Sequence, residues 1–113
     1  MKLIETPTDL KKIWQERESG FVDLLKIVID IDRKIIAADA ELHADLEELL
    51  LSEGSLQENL WGANLYPEKS GDDLIEYTAF INIRPSQDNR SMEIEDEDIR
   101  LQMQSIIKKL LKV

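Results

Sequence analysis

Acid–base chemistry needs a group that titrates near neutrality, with a partner to orient it. The 113-residue chain has one histidine, His43, in the stretch "AELHADLEELL" from Ala40 to Leu50. Glu41 and Asp45 flank it, so His43 as general acid or base, oriented by either carboxylate, is the first candidate site. The second is the segment "RPSQDNRS", where Arg84, Asn89, Arg90 and Ser91 gather donors within an otherwise acidic chain. A planar guanidinium fork suits a carboxylate or phosphate, and Asn and Ser can complete an anion cradle.

Each site has a structural alternative. If the helix begins at Ala40, Leu42, Leu46, Leu49 and Leu50 form one stripe, and His43 with Glu47 falls on its flank. If Glu41 to Ala44 is extended and the helix starts at Asp45, that residue caps it and Glu48 completes a capping box. The second geometry is preferred, because backbone need alone then explains both acids. For the loop, the alternative is that Arg84 and Arg90 pair internally with Asp88, Glu93 or Asp30, since acids outnumber bases.

There are 24 acidic and 14 basic residues, a net charge of −10. Such a field repels phosphate backbones, which disfavours general nucleic-acid binding and an anionic membrane surface. No cysteine is present, so disulfides, thiol nucleophiles and thiolate metal sites are excluded. One histidine beside acids is too little for a metal site, so no metal is assigned, and no cofactor is identified. The apolar runs are far shorter than the roughly 20 residues that span a bilayer. No signal peptide is expected, and a cytoplasmic location is the simplest reading.

The elements that would position these residues follow from periodicity. "TPTDLKKIWQE" reads as a helix with Thr6 as cap, Pro7 in the first position and a stop near Gly20. Ile27, Ile29 and Ile31 alternate with Val28, Asp30 and Asp32 as a half-buried strand, and "IIAA" returns after a turn near Arg33 and Lys34. "LWGANLYP" and "LIEYTAFINIRP" form a second hairpin, its longer strand running from Ile75 to Arg84. "EDEDIRLQMQSIIKKLLKV" is a helix with Ile99, Met103, Ile106, Ile107 and Leu110 as its apolar stripe. Trp14 and Trp61 fit core positions. The fold class expected is α+β: one domain over residues 1–113, an antiparallel sheet of two hairpins with three helices packed mainly on one face.

The blocks "ELHAD", "LWGANLYPEKSG", "INIRPSQDNRS" and "IEDEDIR" resemble a family of small bacterial and archaeal proteins known only as a domain of unknown function. The likeness covers most of the chain from about Ile27 onward. It implies no activity, ligand or catalytic residue.

Strand parity puts Phe80 on the polar face of the sheet, near Leu60 and Val28. With that face open, it would form an apolar patch for self-association; otherwise the N-terminal helix or the tail covers it. The principal reading is therefore a small cytoplasmic binding module, as a homodimer or with an anionic small molecule or protein as partner. The alternative is a small hydrolase or transferase on an anionic substrate, a phosphorylated one included, held by the arginine loop and served by His43.

Overall fold

The computed structural model describes residues 1–113. Its elements are β1 (Lys2–Ile4), β2 (Thr8–Asp9), α1 (Leu10–Gln15), β3 (Leu25–Asp30), β4 (Ile35–Ala38), α2 (His43–Ser52), β5 (Leu60–Leu65), β6 (Ile75–Glu76), α3 (Glu97–Leu110) and β7 (Leu111–Lys112). Five strands make an antiparallel sheet in the order β1-β4-β3-β5-β6, while β2 and β7 form a separate parallel pair. The architecture is α+β.

The helices divide between the two faces of the sheet. The α1 and α3 side chains Leu10, Ile13, Met103 and Ile107 pack with Ile27, Ile29, Ile36, Trp61 and Ala63 of the sheet. On the other face Leu46 and Leu50 of α2 pack on Val28, Ile35, Ala37 and Leu60. Burying each such leucine contributes about 1.5–3 kcal/mol. The expectation of helices mainly on one face holds for α1 and α3, but α2, rather than the N-terminal helix or the tail, covers the other face, so Val28 and Leu60 are buried beneath it and do not join Phe80 in an exposed patch. Strand β3 is consequently buried on both sides rather than half-buried, and Asp30 is fully buried at its end.

Asp30 explains how the β3–β4 turn forms without glycine. Its Oδ1 accepts from the main-chain N–H groups of Asp32 and Arg33, both at 2.9 Å. Lys34 then takes the left-handed conformation, φ 58°, and its N–H donates to the Asp30 carbonyl. The side chain replaces what glycine would supply by backbone freedom.

Helix α1 differs from expectation at both ends. Thr8 and Asp9 pair with β7, so the helix begins at Leu10, and the Asp9 carboxylate caps it by accepting from the Lys11 N–H. It stops at Gln15, well before Gly20. Arg17 stacks on Trp14 and donates to the carbonyls of Trp14 and Phe21. Beyond it, the buried Asp39 carboxylate accepts from the N–H groups of Glu18 and Ser19. Burial pushes the Asp39 carboxyl up, but these donors outweigh it and hold it below the usual carboxylate range.

The long strand expected from Ile75 to Arg84 ends at Glu76. A single bridge between Thr78 and Glu93 follows, and Phe80–Asn82 makes a 3-10 turn. Beside β5 at Gly62, the Asn82 carboxamide takes the place of a strand. Its oxygen accepts from the Gly62 N–H at 2.8 Å, and its NH2 donates to the Gly62 carbonyl at 3.0 Å. This close approach requires glycine, since a Cβ at residue 62 would lie 2.6 Å from that of Ala79.

Candidate functional site

Helix α2 begins at His43 with Leu42 as an extended cap residue, and no side chain caps it. The expected capping box is therefore absent. Asp45 lies inside the first turn, where its charge still complements the free N–H groups. The earlier start has a physical cause: the His43 ring turns inward over Gly62 and bonds the Ala63 carbonyl oxygen through Nε2 at 2.8 Å.

That contact defines the state of the imidazole. Burial pushes its pKa down, the Ala63 carbonyl partly opposes this, Lys26 pushes further down, and Asn64 opposes. A neutral ring facing a carbonyl must carry its proton on Nε2, which leaves Nδ1 as the acceptor. Below about pH 6.5 the unfolded chain takes up a proton that the folded ring resists, so stability should fall as pH drops from about 6.5 toward 5. His43→Gln retains a donor for Ala63 and does not titrate. Denaturant unfolding at several pH values should show that slope in the parent and a flatter profile in the variant; equal slopes would assign the loss to other groups.

The flanking acids face elsewhere. Glu41 accepts from the Gly20 N–H at 2.8 Å, tying the α2 entry to the segment after α1. Asp45 borders a shallow cavity with Glu48 and Ser52. No hydrogen bond joins His43 to either carboxylate, and no three acidic or imidazole side chains cluster tightly enough to share a metal ion.

The arginine loop is held mainly by its own side chains. Arg84 is buried; its Nε donates to the Ile81 carbonyl, Nη1 to the Gln57 carbonyl and Nη2 to Glu47 at 3.1 Å. It also lies 4.9 Å from the Trp61 ring centroid. Burial pulls its pKa down and Glu47 pushes it back up. Asn89 donates to the carbonyls of Asn82, Ser91 and Glu93 and accepts from the Glu95 N–H. The Ser91 hydroxyl donates to the Glu93 carbonyl. Arg90 alone projects freely, with Asp88 3.9 Å away and both side chains exposed. His43 and Arg84 do meet one neighbourhood, through Gly62 and Ile81, but each is engaged with the main chain there.

A different set of bases borders a cleft of about 630 Å³ between the β3–β4 turn and α3. Arg33, Lys34 and Lys109 line it, with Glu5 as the one acid. Arg33 and Lys34 are turn residues and Lys109 lies in the last turn of α3, so no local pattern joins them and only the fold brings them together.

A family model described as "Protein of unknown function (DUF5674)" matches residues 2–110. The chain belongs to this family. The DUF5674 match begins in β1 and ends with the last residue of α3, so it takes in the whole five-stranded sheet and all three helices. Neither the curated proteins nor the solved structures compared with the chain include a match. No helix is long and apolar enough to cross a membrane.

Proposed function

We propose that this member of DUF5674 is a binding module of the bacterial or archaeal cytoplasm that pairs with a second copy of itself. The observation carrying this reading is the display of Phe80, 76% exposed on a turn anchored by buried polar groups. Ile83, 44% exposed, follows three residues later, a spacing that eclipses side chains in 3-10 geometry. Asn82, Arg84 and Asn89 tie the surrounding backbone to β5, to the segment after α2 and to the loop before α3. An aromatic side chain held out on a rigid support loses little freedom on docking and is a common anchor of interfaces.

The enzyme alternative, with His43, Glu41 and Asp45 catalytic and Arg84, Asn89, Arg90 and Ser91 on the anion, draws less support. Five of these seven side chains bond within the chain. The net charge of −10 opposes pairing of two copies at low ionic strength, so added salt should strengthen it. Sedimentation velocity from about 1 to 500 μM, a range spanning ordinary weak dimers, should show association that grows with concentration and salt. Phe80→Ser, a surface change, should abolish it while the melting temperature holds. A parent monomeric throughout the range, even in high salt, overturns the self-pairing.

A further inference from the structure

Among the four principal clefts, the one between the β3–β4 turn and α3 alone holds more bases than acids. Within a chain of net charge −10, that local inversion needs a cause. None of Arg33, Lys34 and Lys109 takes part in an ion pair. Arg33 is nonetheless held in place: Nη1 donates to the Glu53 carbonyl at 2.8 Å and to the Ser55 hydroxyl at 3.2 Å. Its Nε and Nη2 have no partner in the chain, while the anchored nitrogen faces the segment after α2 rather than α3, so Arg33 borders the cleft from the turn side.

Lys34 supplies an independent observation. It sits at φ 58°, where glycine or asparagine is easier to accommodate. The Asp30-anchored turn fixes that conformation, so the Lys34 backbone is already set at the cleft's edge. Lys109 approaches from α3, with Gln102 and Ser105 on the same flank. The remaining walls are Ile31, Ile35, Ile106 and Leu110. A volume of this order fits a small organic ligand.

We propose that this cleft binds a small organic phosphate or diphosphate, with the phosphate on Lys34 and Lys109, Arg33 adding charge at the edge, and an apolar body against Ile31 and Ile106. This names a ligand class for the binding module and rests on that reading. The protein's global negative charge does not forbid it, because screening confines the distant acids to about 8–10 Å of influence, whereas three bases adjoin the cleft directly. Glu5 at the rim can accept from a hydroxyl or amine of the ligand body.

Titration of the 15N-labelled protein with inorganic pyrophosphate, and separately with ADP, tests the site at about 0.15 M salt. Both should saturate below about 10 mM and move the amides around residues 31–35 and 105–110. Lys34→Asn combined with Lys109→Gln should weaken binding about tenfold or more, the effect of losing charge-assisted contacts. Lys34→Asn suits the left-handed backbone, and Lys109 is exposed, so folding is retained. Lys69→Gln with Lys108→Gln removes equal charge outside the cleft and should leave binding unchanged.

No saturation with either probe, or equal weakening by the control pair, overturns the site. ADP binding no tighter than pyrophosphate supports the anion cradle and overturns the apolar-wall assignment. Phosphorus NMR of the same samples separates the two levels. Orthophosphate release that is lost in the Lys34/Lys109 variant supports the site and overturns the non-catalytic reading, whereas absence of binding leaves self-pairing to its own test.

Discussion

Asn82→Asp should destabilise the fold by about 4 kcal/mol or more at neutral pH, a large share of the 5–15 kcal/mol typical of a domain. The parent carboxamide is fully buried and bonds Gly62 twice and the Met92 carbonyl once. Aspartate keeps the acceptor for the Gly62 N–H but loses both donors. A carboxylate oxygen would then face two carbonyl oxygens at about 3 Å with no water to solvate any of them. The sign of the pH dependence follows from the same geometry. Burial beside carbonyls raises the pKa of the new carboxyl above its unfolded value, so the folded state binds the extra proton. The penalty should therefore shrink as pH falls from neutrality toward 5, because the protonated acid regains one donor. Guanidinium unfolding followed by circular dichroism at pH 7 and pH 5 measures both effects. A loss below about 1 kcal/mol, the net worth of one hydrogen bond, would mean that the amide is not the partner of β5.

The second large effect belongs to Arg84. Arg84→Met should cost about 3–5 kcal/mol, because it leaves Glu47 half-buried without a countercharge. The Ile81 and Gln57 carbonyls lose their donors as well. Adding Glu47→Leu should restore about 1–2 kcal/mol, since an apolar pair removes the stranded charge but not the two stranded carbonyls. Arg84→Lys should not rescue, as one ammonium on a flexible stem cannot reach Ile81, Gln57 and Glu47 together. Urea titration of the double-mutant cycle gives the coupling directly. An isolated Arg84→Met loss under about 1 kcal/mol would put the pair in the class of exposed surface bridges.

How much of this could be read in advance varied by element. The α3 stripe was legible because its helical periodicity is unbroken, and four of its five expected apolar residues are buried. Strand β3 was legible in period but not in burial, because nothing local says that α2 crosses the second face. The segment from Tyr77 to Arg84 misled for a related reason. Alternation holds only as far as Phe80; beyond it the turn tethered by the Asn82 side chain buries Asn82 and Arg84 and exposes Ile83, the reverse of strand parity. At α2 a helix-start signal pointed to Asp45, but tertiary contact between His43 and Ala63 set the boundary. For Arg84, the acid excess foretold an internal partner. Its identity as Glu47 was out of reach, because the two lie 37 residues apart in sequence.

The parallel pairing of Thr8 with Leu111 and Asp9 with Lys112 joins the strand before α1 to the strand after α3. Forming it closes a loop of nearly the whole chain, the least favourable closure available to this topology. It should therefore be among the last contacts made in folding, after the β3–β4 hairpin and α2 have assembled, and the first to open in unfolding. Once made, it ties the fraying of one end to that of the other. Amide hydrogen exchange at these two distant segments should then proceed at matched rates, as one cooperative unit.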